Sequence, residues 1–250
     1  MAVDPNSAPG LGLSTVDSVS GRSRGRLLET PVSISVVEGD AVRNAGPGVE
    51  IEGALEGVPG VFAQSSYNFA QDPRISIRGF GARSTFGVRG LRVLVDGVPN
   101  TLPDGQTELD SLEMAFVERI DVVRGPVSSL YGGGGGGVVA IETAAPTPDP
   151  RGRSRTLFGS DSLFRQELLY TGTHAGTGVV AGLGFTRYSG YREHAHAQQT
   201  NLLTKFQRTL SDGTELGLSF SAVWAPEAQD PGGLDAAQVA ANRQQAAPRN

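Results

Sequence analysis

Three groups of residues in this chain could do chemistry, and spacing tests each of them. His194-Ala195-His196 follows Glu193, which could offer two imidazoles and a carboxylate to a metal. Two histidines on one polar loop rarely suffice for a metal, which needs three or four fixed donors, so loop polarity is the simpler reading. No serine or cysteine nucleophile motif lies near the three histidines, and the chain has no cysteine. Gly132 to Gly137 is an unbroken glycine run that could cradle a phosphate. It lacks a following Lys-Ser/Thr and opens no convincing helix. No catalytic constellation, metal site or cofactor site is therefore expected. Arg78 and Arg124 remain. Each ends an apolar strand-like run and precedes glycine, placing a guanidinium where the backbone turns. Alone, they read as surface arginines or as partners of Glu118 or Asp121.

The elements that would position these arginines are short and β-rich. Val117 to Val123 mixes β-branched residues with charges and predicts a strand. Gly125-Pro126 stops it, and proline suits the first position of a short turn over Val127 to Tyr131. Glycine as dense as Gly132 to Gly137 holds neither helix nor strand, so a loop is expected there. Val138 to Thr143 alternates again and predicts a second strand. Upstream, Val49 to Glu56 reads as a helix.

The order of these parts resembles the plug domain of TonB-dependent outer-membrane receptors. Strand, Arg124-Gly125-Pro126, Ser129-Leu130-Tyr131-Gly132, glycine loop and closing strand stand in the family's order. Pro31 to Val37 is similar to the first plug strand, and Leu55 to Val61 to the segment after the first helix. Ile77-Arg78-Gly79 and Asp96-Gly97 are similar to the family's Ile-Arg-Gly strand and Asp-Gly hairpin. The resemblance implies a nutrient importer rather than an enzyme, working on a ferric chelate such as a siderophore or citrate complex. It implies that Arg78 and Arg124 form a buried lock with barrel glutamates. It implies a ligand surface on two outward loops, Gly81 to Gly90 and Asn100 to Thr107, with Arg83, Ser84, Thr85, Phe86, Arg89, Thr101, Asp104 and Gln106 as its contacts. Both loops are rich in turn formers and donors. Their Gly-Ala-Arg … Phe-Gly-Val-Arg-Gly and Leu-Pro-Asp-Gly-Gln phrases resemble the ferric-dicitrate-like branch. It further implies a TonB-binding strand near the N-terminus, for which Leu13 to Val19 is the only stretch before Pro31 with suitable alternation. A plain tether fits that stretch as well.

After Arg153 the pattern changes to strands of about ten residues with period-two alternation, the signature of a transmembrane barrel. Val179, Ala181, Leu183 and Phe185 alternate with Gly182, Gly184 and Thr186. Leu202 and Phe206 oppose Asn201, Lys205, Gln207 and Thr209. Leu216, Leu218, Phe220, Ala222 and Trp224 oppose Glu215, Gly217, Ser219 and Ser221, with Trp224 suited to an interfacial girdle. His174 to Thr177 and Ser211 to Gly213 are tight turns, as expected on a periplasmic side. Tyr191 to Thr200 and the polar tail after Ala225 are longer, as expected outside. About five strands result, the first a short one over Arg155 to Gly159. Five cannot close a membrane barrel, which needs at least eight.

The expected fold is therefore an α+β plug followed by the first antiparallel strands of an incomplete transmembrane barrel. The divisions are a tether over residues 1–29, the plug over 30–150 and the barrel part over 151–250. Met1 to Gly10 has no apolar core and is no signal peptide, so the chain is expected to begin inside a mature outer-membrane protein and to stop before its barrel ends. A net charge of −5 argues against nucleic acid, and the short basic run Arg22 to Arg26 reads as a solvated tether. The expected partners are TonB, a small ferric chelate and outer-membrane lipid. A soluble β-rich binding module without a barrel is the competing reading, because alternation alone also fits a meander packed on one face.

Overall fold

The computed structural model describes the chain apart from residues 1–14, 18–23, 27–32, 46–50, 65–67, 85–86, 103, 110–111, 126–134 and 249–250. A small α+β unit comes first. Its mixed sheet runs in the order β3 (Ser33–Glu38), β10 (Val117–Arg124), β11 (Gly137–Thr143), β7 (Arg92–Val95), β8 (Val98–Pro99). β11 pairs parallel to β7, and the other neighbours are antiparallel. Ile120, Val122, Val139, Ile141 and Val93 point to one face. There they pack with Val42 of α1 (Gly39–Asn44), Leu55 of α2 (Glu52–Leu55), and Ile75 and Ile77 of β5 (Arg74–Ile77). Two-stranded ribbons flank the sheet: β4 (Val61–Gln64) with β5, and β6 (Val88–Arg89) with β9 (Gln106–Thr107). Asp96-Gly97, with φ of 49° and 77°, makes the tight β7–β8 turn that needs left-handed backbone at both positions.

The second unit is a five-stranded antiparallel meander: β12 (Arg151–Phe158), β13 (Phe164–His174), β14 (Thr177–Tyr188), β15 (Ala197–Thr209) and β16 (Glu215–Ala228). The last four, of 11, 12, 13 and 14 residues, reach or exceed the ~9–11 residues that a tilted strand needs to cross a bilayer. The turns at 175–176 and 211–213 are tight, and the connections on the opposite rim, 189–196 and after 228, are longer. One face of the meander carries Leu168, Leu183, Leu202, Phe206, Leu218, Phe220 and Trp224, all exposed. The other face packs on the first unit, where Ala115, Phe116 and Ala144 meet Leu169, Val180 and Leu203.

The structure extends several expected elements. β12 starts at Arg151 rather than Arg155, because its inward row is Arg151, Arg153 and Arg155 and carries no apolar alternation. β16 continues past Trp224 to Ala228. A bulge there sets Ala225 and Pro226 outside the regular register, between Thr200↔Trp224 and Gln198↔Glu227, so proline's missing N–H breaks no ladder bond. β15 begins at Ala197, inside the expected 191–200 loop. The expected 49–56 helix is the short α2, and its first two residues lie outside the described ones. α1 and α3 (Ala236–Ala241, capped by Asp235) were not expected. The expected turn at 127–131 lies outside the described residues. So do Pro31 and Val32 of the first strand, and all of the 13–19 stretch except Thr15–Asp17. Those three residues (β1) pair with Arg24–Arg26 (β2).

Candidate functional site

Loops 81–90 and 100–107 come together through the β6–β9 ribbon. Arg89 donates to Gln106 Oε1 at 2.9 Å and lies 3.5 Å from Asp104 Oδ2. Asp104 Oδ1 accepts from the Gln106 backbone at 3.0 Å, and Thr101 Oγ1 accepts from Thr107 Oγ1 at 2.9 Å. Arg89, Asp104 and Gln106 thus form one polar cluster with an exposed guanidinium, and Thr101 is tied to its edge through Thr107. Arg83 is exposed on the neighbouring turn, while Ser84 is buried and its hydroxyl donates to the Gly87 carbonyl. Ser84 therefore holds the loop's shape. Thr85 and Phe86 lie outside the described residues.

Arg78 and Arg124, 46 positions apart, converge on a single turn. The Arg78 backbone N–H donates to Gly60 O at 2.9 Å, and Arg78 itself takes a φ of 49°. The Arg124 guanidinium donates to Pro59 O and to Ser35 Oγ at 2.9 Å. Among the described residues neither arginine forms an ion pair with a carboxylate.

Beside the apolar patch around Phe116, the two units meet through ion pairs of their own, separate from Arg78 and Arg124. Here the first unit supplies carboxylates and the five-stranded sheet supplies cations. Glu113 pairs with Arg165 of β13, and the two side chains are only 3% and 2% exposed. Arg165 also bonds Glu167, and Asn201 Nδ2 donates to the second Glu113 oxygen at 3.0 Å. Asp96 pairs with Lys205 at 2.8 Å while accepting from the Thr143 backbone and hydroxyl. Glu118 pairs with Arg153 at 3.1 Å. Glycine makes the approach possible. A Cβ on Gly182 would stand 2.7 Å from the Phe116 ring, and one on Gly184 would overlap the Glu113 carboxylate.

Two carboxyls of the first unit sit above their usual range. Burial strips Asp121 of water and raises it, although its bond from Arg119 at 2.7 Å partly offsets this. Glu142 on the adjacent strand, whose side chain stays exposed, is raised by partial desolvation and then by the charge of Asp121.

The family model of the TonB-dependent receptor plug domain matches residues 26–139. Over those residues the chain is a TonB-dependent receptor plug domain. It is 35% identical over 118 residues to a hemin receptor of Yersinia pestis, covering 46% of this chain and 16% of that protein. It is 30% identical over 189 residues to the ferrioxamine receptor of Yersinia enterocolitica, covering 71% of this chain and 25% of that protein. The chain thus spans a quarter or less of these relatives. The fold is that of the pyoverdine outer membrane receptor FpvA from Pseudomonas aeruginosa PAO1 bound to pyoverdine (TM-score 0.68, 21% identity, 81% of this chain and 29% of that one). The ferric yersiniabactin uptake receptor FyuA from Yersinia pestis shares it (TM-score 0.59, 22% identity, 77% and 31%). The first unit is the plug, and the meander is the opening stretch of the barrel wall.

The connections on the longer-loop rim also reach the plug. Asp230, after β16, accepts from plug residues Asn68 at 2.8 Å and Gln71 at 2.9 Å. Its carboxyl is held below the usual range, first by the Gly232 backbone N–H and then by those two amides. Arg192 ties the 189–196 connection to the last segment through the carbonyls of Pro231, Gly232 and Gln245. Sequence reasoning missed Glu113, Arg165, Lys205, Asp230 and Arg192. The period-two Arg151, Arg153, Arg155 row was the one available signal.

Proposed function

We propose that the full receptor lies in the outer membrane and imports a ferric chelate by energy-coupled movement of this plug. One observation carries the reading: a compact α+β unit is seated, through paired charges and facing glycines, on the inward face of strands long enough to cross a bilayer. A soluble module would have no need of the apolar row Leu216, Leu218, Phe220 and Trp224 on the opposite face. The proposed division is tether 1–29, plug 30–150 and wall from 151. Arg83, Arg89, Thr101, Asp104 and Gln106 would receive the chelate, with Thr85 and Phe86 from the loop of Arg83. The exposed guanidiniums suit a carboxylate-bearing ligand, which accords with the ferric-dicitrate-like phrases in both loops. The relatives' names add hemin and ferrioxamine to the range to be tested. The segment containing Thr15–Asp17 would pair with TonB as an added strand. Arg78 and Arg124 would complete a lock at the 59–60 turn with carboxylates from wall strands beyond β16.

The test is uptake of radioactive iron by cells whose own receptors are deleted and which carry the full-length receptor. The panel is ferric citrate, ferrioxamine, hemin and a catecholate chelate. TonB-dependent accumulation from at least one of them supports the reading. Uptake that is equal with and without TonB contradicts it.

A further inference from the structure

The inner wall carries a cation in each of four consecutive inward-facing rows, and the fourth row holds a second, the exposed Arg151 at its β12 end. Counted from the loop rim along the hydrogen-bonded register, the first row is Leu157, Arg165, Thr186, Gln199 and the second is Arg155, Glu167, Gly184, Asn201. The third is Arg153, Leu169, Gly182, Leu203, and the fourth is Arg151, Thr171, Val180, Lys205. Successive inward rows on a strand lie about 7 Å apart. The ladder Arg165, Arg155, Arg153, Lys205 therefore descends about 20 Å from the loop rim toward the turn rim. Glu167 is the only acidic residue in these rows.

With the plug seated, every rung is met by a plug oxygen. Arg165 meets the Glu113 carboxylate, and Arg155 donates to the Arg43 carbonyl at 2.6 Å. Arg153 meets Glu118 and the Ala115 carbonyl, and Lys205 meets Asp96 and the Thr143 carbonyl. Cations held this close in a partly desolvated wall need counter-charge. If the plug moves, the same rungs face the lumen without it.

We propose that this ladder is an anion-binding track, that the plug carboxylates are its resident occupants, and that its transported ligand is a polycarboxylate or similarly anionic chelate handed from rung to rung. The proposal rests on the receptor reading above and adds the ligand's charge class and its route past the plug. A cation in every successive row is what a multivalent anion needs in order to hold two rungs while releasing a third. Seating alone would be served by any scattered pairs.

The full-length receptor in a planar bilayer, with the plug unseated by urea, tests this with citrate as the probe. Citrate added at constant ionic strength should block the chloride current. Two variants each remove a rung without leaving a lone buried charge: Glu113→Gln/Arg165→Gln/Glu167→Gln and Asp96→Asn/Lys205→Gln. Each should raise the half-blocking citrate concentration about tenfold, the ratio set by losing one charge-assisted contact. A neutral sugar of similar size should block all three proteins alike. Block that is absent, or equal in wild type and both variants, overturns the track. A receptor that never opens a conductance in urea overturns the barrel reading, and the track with it.

Discussion

Arg165 carries more of the plug's seating than its partner does. It is buried between Glu113 and Glu167, so Arg165→Gln leaves two carboxylates in the seam with no cation. Breaking a buried pair from one side costs about 3–5 kcal/mol. Glu113→Gln is milder. Arg165 keeps Glu167, and the new amide oxygen can still accept from Asn201 or from the Ala115 N–H. The loss is then that of charge-assisted acceptance, about 1–2 kcal/mol. A plug of this size unfolds with an m-value of about 1–3 kcal/mol per molar urea. Arg165→Gln should therefore lower the urea midpoint for plug release by about 2 M and Glu113→Gln by about 1 M or less. Trypsin accessibility of the plug in the reconstituted full-length receptor, followed across a urea series, reads both midpoints. If Glu113→Gln costs as much as Arg165→Gln, or if both leave the midpoint at its wild-type value, the seam is not held by this cluster.

Gly182→Ala should destabilise plug seating by about 1–3 kcal/mol through overpacking on Phe116. Gly217→Ala, where an added methyl meets nothing within 4 Å, should be silent in the same urea series. Asp121 and Glu142 have raised carboxyl pKa values in the fold, so native plug binds protons that unfolded chain has released. Plug stability should accordingly rise as pH falls from neutrality through the raised native values toward the ordinary ones of 3.8 and 4.5. Asp121→Asn with Glu142→Gln should flatten that slope in calorimetry, and an unchanged slope would reject the assignment. Arg78→Ala with Arg124→Ala should admit large antibiotics through the full receptor, and wild-type exclusion in the double variant would remove the lock role. The 250-residue chain alone should need detergent to stay monodisperse, because β16 presents an open edge and an apolar row. A monodisperse, detergent-free monomer in analytical ultracentrifugation would instead favour the soluble module.

The sequence made the outward faces legible and the inward ones obscure, for a physical reason. Leu216, Leu218, Phe220 and Trp224 lie exposed on the face turned away from the plug, so hydrophobicity alone fixes their period. The inward face is specified by the plug, a neighbour distant in sequence. Its residues are whatever the plug needs at each point: glycine at 182 and 184 to admit Phe116 and Glu113, and cations at 153, 165 and 205 to meet carboxylates. None of those choices forms a local motif. Glu113 within Leu112-Glu113-Met114-Ala115-Phe116 reads as an ordinary turn residue until Arg165 is seen across from it. In the plug, the Asp96-Gly97 hairpin and the Val117–Arg124 and Gly137–Thr143 strands were readable because turn chemistry and β-branching are local. α1 was missed because Gly39-Asp40-Ala41-Val42-Arg43-Asn44 is too short to show a helical period.

The account's central claim is that this plug sits inside the wall begun at β12 and must leave that seat for import. These 250 residues contain no cysteine, so Phe116→Cys with Gly182→Cys, in a full-length receptor cleared of any other cysteine, can be bridged cleanly by a short bis-methanethiosulfonate reagent. Iron uptake by the full-length receptor is then measured before bridging, after it, and after reduction. The account expects the bridge to form on the seated plug, to stop TonB-dependent uptake while leaving chelate binding intact, and to release uptake when cut. A bridge that does not form, or a bridged receptor that imports at the unbridged rate, would contradict it.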